Sequence, residues 1–211
     1  NCAAHTAVDL CESDQENANK DKDPAEIEKD NYFVIGGVCT CEAKIRAYMR
    51  MLRVGEGTVG EKGYTTRFGN AQFSDMSTHP GLRPGSGSSA AGAYQVMQYT
   101  FWEFNGFVVA KNSAGNFYKT GAYEEGKDYV KKYNITDFSA ESQDILCVAL
   151  MKHHSGCASF INDIISDKIE SATRECGSRI WASLPHKGNN SRYLFKGKPQ
   201  PVETMSSVLS N

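Results

Sequence analysis

A helix that runs directly into a glycine-flanked glutamate is encoded by residues 41–58, CEAKIRAYMRMLRVGEGT. Four apolar side chains recur at the spacing of one helix face: Ile45, Tyr48, Met49 and Leu52. Gly55 and Gly57 follow, and glycine is the residue that most readily adopts the left-handed backbone at a helix end. We therefore predict a helix over 41–54, with Glu56 held between two glycines just beyond it.

Glu56 lies where a carboxyl group can serve as a proton donor. A carboxylate just past the C-terminus of a helix faces the negative end of the helix dipole, which disfavours its ionised form. Burial beside Leu52 and Val54 would act in the same direction. A carboxyl group that keeps its proton near neutral pH is what general acid catalysis requires. An ordinary exposed glutamate in a glycine turn is the alternative, and the spacing alone leaves both open.

The rest of the chain alternates short extended pieces with helical ones. Residues 58–84 are rich in glycine and predict a small β-lobe with loops. Periodicity and capping residues predict further helices at 90–104, from Ser139 onwards and at 167–181. Residues 105–135 are rich in glycine, tyrosine and lysine and predict an irregular insertion. The predicted fold class is α+β, a mostly helical body with a small β-lobe.

Composition and charge limit the classes of protein to be considered. The chain has 211 residues, 40% of them hydrophobic and 23% charged, which suits one domain with a core and excludes wholesale disorder. No apolar run reaches the ~18 residues of a membrane span. The net charge of −2 gives no basic footprint for nucleic acid. Residues 1–30 carry nine acids and three bases, so the remaining residues are mildly basic. This positive charge is consistent with an anionic polymer as the partner, or with an ordinary solvated surface.

Seven cysteines are a high number for an enzyme of this size. They form an N-terminal group of four and a C-terminal group of three: Cys2, Cys11, Cys39, Cys41, Cys147, Cys157 and Cys176. This number favours disulfide bonds in an oxidising compartment such as a periplasm. A zinc site near the N-terminus and free thiols are the alternatives. The Cys39-Thr-Cys41 spacing is one residue shorter than the usual zinc knuckle.

No other motif indicates a metal or a cofactor. His79 and the adjacent pair His153-His154 are weak metal candidates, because adjacent residues on a helix point about 100° apart and cannot both bind one ion from one face. The glycine-rich segment 85–92 lacks the Lys-Ser/Thr ending of a phosphate-binding loop. The chain also lacks the Gly-x-Ser-x-Gly elbow of serine hydrolases. We predict neither a metal site nor a cofactor.

Six groups of short motifs follow one another within residues 42–190. They are Val54-Gly-Glu-Gly-Thr58, Gly63-Tyr-Thr-Thr-Arg-Phe-Gly69, Phe73-Ser-Asp75 with His79-Pro80, Ser89-Ala-Ala-Gly-Ala-Tyr-Gln95, Asp137-Phe-Ser139 with Ser142-Gln-Asp144, and Ile180-Trp-Ala-Ser-Leu-Pro185. In this order they resemble the phage muramidases of the lambda endolysin type. A series of six is much more specific than any one motif. The resemblance leaves out the cysteine-rich leader, and residues 105–135 are longer than the family needs.

The resemblance implies a lysozyme-like fold in which a helical body and a β-hairpin lobe flank a substrate cleft. It also implies cleavage of the β-1,4 bond between N-acetylmuramic acid and N-acetylglucosamine in peptidoglycan. In that family the glutamate matching Glu56 protonates the glycosidic oxygen, and Thr66 matches a catalytic threonine. The predicted substrate-binding residues are Tyr64, Asp75, Tyr94 and Gln95.

The second catalytic carboxylate is where the sequence departs from the family. Lambda-type enzymes carry an aspartate at the position of Thr65, and only Glu61 is acidic between Glu56 and the hairpin. Asp75 is the nearest other candidate, or else a structural turn residue. With a water positioned by Thr66 the enzyme would hydrolyse the bond. Without such a water it would be a lytic transglycosylase, in which the muramyl C6 hydroxyl attacks and leaves a 1,6-anhydro end. A non-catalytic glycan-binding module is the remaining alternative, and the intact glutamate argues against it.

We expect three segments: a cysteine-rich acidic leader at 1–40, the catalytic domain at 41–195 and a tail at 196–211. The cysteines, the missing initial methionine and the acidic leader suit the toxin domain of a secreted antibacterial effector. Such a domain would be secreted or delivered to the periplasm of a target bacterium. The expected partners are peptidoglycan glycan strands and an immunity protein, with no nucleic acid, no membrane insertion and a monomeric state.

Overall fold

The computed structural model describes residues 40–195 and 198–210. Predictions for residues 1–39, including every bridge or zinc site that involves their three cysteines, lie outside this part of the chain. Within it, no helix combines the length and the apolar character needed to cross a bilayer. The described chain divides into two compact units, which are taken in turn below.

Helices and short strands alternate along the described residues. The α-helices are α1 (Thr40–Gly55), α2 (Gln98–Phe104), α3 (Tyr129–Lys132), α4 (Ala140–His153), α5 (Phe160–Ile165), α6 (Ile169–Ser171), α7 (Ser178–Ile180) and α8 (Met205–Ser210). The strands are β1 (Thr66–Arg67), β2 (Ala71–Gln72), β3 (Asn105–Lys111), β4 (Phe117–Asp128), β5 (Leu194–Phe195) and β6 (Lys198–Pro199). Single turns of 3-10 helix lie at Glu61–Thr65 and Lys187–Asn189, and a π-helical turn, Ala172–Gly177, joins α6 to α7.

The first compact unit is helical and is formed by residues 40–55 together with 150–210. The predicted apolar face of α1 is buried in it. The ring of Tyr48 packs edge-on against Phe160 with centroids 5.6 Å apart, and Phe160 packs against Trp181 at 6.4 Å. Aromatic pairs at such separations stabilise a core beyond their buried area. Because α1 buries one face in this core, apolar residues recur at helical spacing along its four turns.

The helix predicted at 167–181 is present, with a π-helical turn in its middle. Gly177 ends this turn at a point of close approach to α1. A Cβ atom at Gly177 would lie 2.6 Å from the hydroxyl oxygen of Tyr48 and 2.7 Å from Leu184. The same tyrosine hydroxyl shares a hydrogen bond of 3.1 Å with Thr173. Glycine is therefore needed here because of packing.

The second compact unit, residues 56–149, contains the predicted β-lobe. Strands β1 and β2 are antiparallel, with Thr66 opposite Gln72. Arg67 also forms a bridge with Ala91, so a third extended segment lies beside β1. Helix α4 extends from this unit into the first one. An α+β architecture is thus present, as the sequence predicts.

The helix predicted from residue 90 begins later, at Gln98. Residues 91–96 instead form a tight turn closed by two backbone hydrogen bonds between its ends, at 2.9 and 3.1 Å. Gly92 and Gln95 have φ angles of +78° and +44° inside this turn. Left-handed backbone of this kind cannot belong to a right-handed helix. The apolar periodicity did not distinguish this turn from a helix, because its small residues are compatible with both.

The irregular insertion predicted at 105–135 is an ordered antiparallel hairpin of β3 and β4, followed by α3. Its loop is closed by Asn112, whose side-chain oxygen accepts hydrogen bonds from the backbone N–H groups of Ala114 and Asn116. Gly115 supplies the left-handed backbone of the loop, with φ at +80°. The prediction failed because β4 is exposed along almost its whole length. Because the strand packs against little, its sequence shows little of the alternation of apolar and polar residues by which strands are recognised.

The described cysteines are all buried, and no disulfide bond joins one to another: Cys41, Cys147, Cys157 and Cys176. The prediction of disulfide bonds is therefore wrong for this part of the chain. The thiols of Cys157 and Cys176 share a hydrogen bond, and burial is the main reason that the pKa of Cys176 rises to about 12. Burial likewise raises the pKa of Cys147. Buried thiols that keep their protons pack as small apolar side chains.

Candidate active site

Glu56 is the first residue after α1 and the first residue of the second compact unit. The helix ends at Gly55, and Gly57 adopts left-handed backbone with φ at +68°. The predicted arrangement, a glutamate between two helix-ending glycines, is confirmed. Glu56 is partly exposed.

Thr58 fixes the loop that carries Glu56. Its side chain is 1% exposed, and its hydroxyl donates a hydrogen bond of 2.5 Å to the carbonyl oxygen of Ala93. Gly63 approaches from the other direction: a Cβ atom there would lie 1.8 Å from the carbonyl oxygen of Thr58. Only glycine fits at that point. The loop after Glu56 is thereby anchored to the turn at 91–96.

The hydroxyl group of Thr66 is held by two neighbours at the start of β1. It donates a hydrogen bond of 2.8 Å to the carbonyl oxygen of Lys62 and accepts one of 2.8 Å from the side-chain amide of Gln72. A threonine hydroxyl has one proton and two lone pairs. Its proton is therefore in use, and one lone pair remains to accept a hydrogen bond. Thr66 can hold a water molecule by accepting one of that molecule's protons.

The phenol groups of Tyr64 and Tyr94 meet at one carboxylate, that of Asp144. Tyr94 donates to Oδ1 of Asp144 at 2.6 Å, and Tyr64 donates to the same oxygen at 3.0 Å. Tyr94 is 2% exposed, and its burial, followed by the proximity of Cys147 and Asp144, raises the pKa of its phenol far above the usual value. Tyr94 therefore remains a hydrogen-bond donor. Both predicted tyrosines lie in one network, built around a residue that had no predicted role.

Gln143 is 2% exposed, and its side-chain amide connects three segments of the second compact unit. Its Oε1 accepts a hydrogen bond of 2.8 Å from the backbone N–H of Ala93. Its Nε2 donates to the carbonyl oxygens of Tyr64, at 2.9 Å, and Phe138, at 2.7 Å. A Cβ atom at position 92 would lie 2.2 Å from Gln143 Oε1. The glycine of that turn is therefore required by this contact as well as by its φ angle.

Gln95 is joined to the same network by hydrogen bonds from its side chain to backbone carbonyl groups. Its Nε2 donates to the carbonyl oxygen of Gly92 at 2.9 Å and to that of Thr66 at 3.2 Å. The residue is partly exposed and has left-handed backbone. Because the amide nitrogen is used internally, the side-chain oxygen is the atom that can accept a hydrogen bond from a ligand.

Asp75 forms a turn of its own. Its Oδ1 accepts hydrogen bonds from the backbone N–H of Ser77 at 2.9 Å and from the Ser77 hydroxyl at 2.6 Å. These two bonds lower the pKa of Asp75, so the exposed carboxylate is ionised at neutral pH and is a weak base. The turn-forming role considered in the sequence is therefore present.

His79 is a packing residue. Its Nε2 donates to the carbonyl oxygen of Val96 at 2.8 Å, and its Nδ1 accepts from the backbone N–H of Gly81 at 3.0 Å. The ring packs against Phe101 and Phe138, with centroids 5.6 and 5.0 Å away. Burial lowers the pKa of His79 to about 4, so the ring is neutral at pH 7. In the part of the chain that the structure describes, no three potential ligands among His, Cys, Asp and Glu come close enough to hold a metal ion.

The profile of the Endolysin family matches residues 46–200 of this chain, which include every residue of the network above. The chain belongs to the endolysin family. It is similar to bacteriophage lambda lysozyme solved with a chitohexasaccharide, with 27% identity, 79% of this chain and 90% of that chain covered and a TM-score of 0.50. A second structure of lysozyme from bacteriophage lambda has 27% identity, with 69% and 81% coverage and a TM-score of 0.45. No match was found among curated proteins.

Family membership confirms the predicted lysozyme-like α+β fold and makes this endolysin a lysozyme-like enzyme that degrades peptidoglycan. The structure joins the predicted site residues in two pairs: Tyr64 and Tyr94 through Asp144, and Gln95 with Thr66 directly. Gln143 bonds the backbone of Tyr64 and of Ala93. Asp75 lies in a separate turn, and Glu56 lies on the loop that Thr58 anchors. Sequence reasoning quoted Ser142-Gln-Asp144 as a motif but assigned it no role. The signal that could have been used is the pair Gln143-Asp144, which directly precedes the apolar stretch 145–151 of the same helix.

Proposed function

We propose that this endolysin cleaves the β-1,4 bond between N-acetylmuramic acid and N-acetylglucosamine, with Glu56 as the general acid. The family match over residues 46–200 carries the proposal, because the match includes Glu56 in its glycine-flanked position. The lambda lysozyme to which the chain is similar was solved with a chitohexasaccharide, which supports a glycan as the ligand. The partial exposure of Glu56 supports access to such a polymer.

The first step would be proton transfer from the Glu56 carboxyl group to the glycosidic oxygen. The bond between that oxygen and the anomeric carbon then breaks, the alcohol leaves with the proton, and positive charge develops on the sugar ring. This step needs a carboxyl group that is protonated when the substrate binds. The position directly after the C-terminus of α1, a 16-residue helix, supports that requirement.

The second step would be the addition of water to the anomeric carbon. We propose that Thr66 holds this water. Its hydroxyl group donates its own proton to the carbonyl oxygen of Lys62, so its oxygen can accept a hydrogen bond from the water. The water oxygen forms the new bond, and the released proton returns to the Glu56 carboxylate through solvent. The two hydrogen bonds from Ser77 lower the pKa of Asp75 and make it a poor base, so we assign Asp75 to substrate binding.

Substrate contacts in this proposal come from the exposed edge of the network. Tyr64 and Gln95 are partly exposed and would offer a ring face and an amide oxygen to the sugars. Tyr94 is almost fully buried, so we propose that it acts on the substrate indirectly, by holding Asp144 and through it Tyr64. Aromatic rings and a few placed polar groups are the usual lining of such sites.

A digest of purified peptidoglycan tests the reaction type. We expect mass spectrometry to show fragments with reducing muramic acid ends, because water completes the reaction. Thr66→Ala should reduce their formation by about 10² or more, the usual size of a lost positioning group, whereas Thr120→Ala, at an exposed position of β4, should not. Digests that contain only 1,6-anhydro ends would show a lytic transglycosylase, in which Glu56 acts first as acid and then as base.

We further propose that the chain acts as a monomeric toxin domain in the periplasm of a target bacterium, where an immunity protein would block it. Its substrate lies there, and the mildly basic charge of residues 31–211 supports an anionic polymer as the partner. Expression with an export signal should lyse the cells, and expression without one should not. Export of the Glu56→Gln variant should be harmless; lysis by that variant would contradict the proposal.

A further inference from the structure

One face of the β3–β4 hairpin carries aromatic rings and amino groups. In the register of the hairpin, Lys111 lies opposite Phe117 and Val109 lies opposite Lys119. Directly opposite residues share a face of the sheet, as do alternate residues of one strand. The register shifts between Phe107 and Val109, and Phe107 is placed on the same face by its contact with the amino group of Lys119. The pattern places two rings and two amines together on an element that the catalytic proposal does not use.

Helix α2 extends this face with two more rings. Tyr99 is stacked on Phe117 with centroids 3.9 Å apart. The amino group of Lys119 lies 3.6 Å from the ring centre of Phe107 and 5.4 Å from that of Trp102. We call the combined surface the hairpin patch, which consists of Tyr99, Trp102, Phe107, Lys111, Phe117 and Lys119. Its members lie within one compact unit and contact one another directly.

The hairpin patch is exposed and positively charged. Phe117 is 37% exposed, and Lys111 and Lys119 are exposed. Acids of the hairpin pair with other lysines: Glu124 with Lys127 at 2.8 Å and Glu125 with Lys131 at 3.1 Å. Within the described residues neither lysine of the patch has a carboxylate partner. Their amino groups lie over aromatic rings instead, so both are available to an anionic ligand.

We propose that the hairpin patch binds a glycan strand of peptidoglycan, as a second binding surface beside the residues that cleave it. The proposal rests on the function proposed above. The flat faces of sugar rings suit exposed aromatic rings, and the carboxylates of the peptides attached to muramic acid suit the two unpaired lysines. A neutral oligosaccharide would contact only the rings, and a small anion would bind only the lysines. A long anionic glycan satisfies both, and binding at two surfaces would retain the enzyme on the wall.

Cosedimentation with purified, insoluble sacculi tests this proposal. The full chain carries Glu56→Gln, so that no cleavage occurs and binding is measured without turnover. Phe117→Ser, and separately Lys111→Glu with Lys119→Glu, should weaken binding by about fivefold or more, the effect of losing a ring or cation contact. Tyr118→Ser is the matched control for the ring, because it lies on the opposite face of β4 and is 46% exposed. Lys132→Glu is the control for the lysines, since its amino group also lies over a ring, that of Tyr133, at 5.6 Å.

The controls should bind sacculi like the parent, and binding of the parent should weaken as salt is added. Patch variants that sediment like the parent would overturn the proposal, as would equal weakening in the two controls. In the active chain, the same patch variants should cleave soluble peptidoglycan oligosaccharides of two or three disaccharide units at the parental rate. If the active parent does not cleave walls at all while the patch variants still bind sacculi less well, the proposed function fails and the patch proposal stands.

Discussion

At the scale of single residues, Glu56 is the group on which the chemistry depends. Glu56→Gln preserves its shape and removes the proton that would be donated. We expect wall lysis to fall by about 10² to 10⁴ with the melting temperature unchanged, because the loss of one general acid has this size. Turbidity of a wall suspension measures the effect.

Glu61→Gln is the matched control for this prediction, because Glu61 is the nearest acid after Glu56 and is exposed. It should lyse walls at the parental rate. Lysis by Glu56→Gln within threefold of the parent would contradict the assignment of the acid.

His79 predicts how stability responds to acid. Burial holds its pKa at about 4 in the folded chain, against 6.5 in the unfolded chain. Between these values the unfolded state binds a proton that the folded state does not, so stability falls as the pH is lowered from 6.5 to about 4 and the loss then stops. The gap in pKa corresponds to about 3 kcal/mol of unfolding free energy. The lowered pKa of His154 acts in the same direction, and the raised pKa of Glu103 acts against it.

Chemical denaturation at pH 7 and pH 4.5 measures this loss for the parent and for His79→Gln. The variant should be less stable at pH 7, because Phe101 and Phe138 lose their partner, yet it should lose less stability on acidification. An equal loss in parent and variant would show that His79 does not titrate as described.

At the scale of elements, α4 organises the second compact unit through one buried amide, that of Gln143. Gln143→Leu leaves three backbone groups without their partner, on Ala93, Tyr64 and Phe138. Each buried unsatisfied group is costly, so the free energy of unfolding should fall by about 3 kcal/mol or more. Activity should also fall, since the turn that holds Gln95 and the helical turn before Thr66 are no longer fixed.

Glu141→Leu, at an exposed position of the same helix, is the control and should change stability by less than about 0.5 kcal/mol. Unfolding in urea measures both variants. A loss for Gln143→Leu no larger than that of Glu141→Leu would contradict the role given to the amide.

The elements also show which parts of the fold could be predicted. Helix α1 was predictable because its buried face imposes a period and its two glycines impose an end. The turn at 91–96 was not, since it depends on a contact between Gly92 and Gln143, which lie far apart in the sequence. The β3–β4 hairpin was missed for the opposite reason: it is so exposed that packing leaves no alternating pattern.

At the scale of the whole molecule, the order of motifs predicted the family, while the chemistry of the site required the structure. Glu56 was assigned correctly to the end of a helix. The role of Asp144 was not predictable, because it follows from Tyr64 and Tyr94 reaching one carboxylate from different segments. Cysteine number was misleading for the described residues, since the count alone does not distinguish bridged thiols from buried ones such as Cys147.

The first compact unit draws on residues 40–55 and on residues 150–210, and this has a consequence for synthesis on the ribosome. Residues 56–149 are continuous, so they can fold as soon as they leave the exit tunnel. Helix α1 emerges before them, yet the segment that covers its apolar face is made after them. At about 5 to 20 residues per second, that segment takes several seconds to appear. During this interval the apolar face of α1 has no covering segment, and exposed apolar surface of this kind is what chaperones bind.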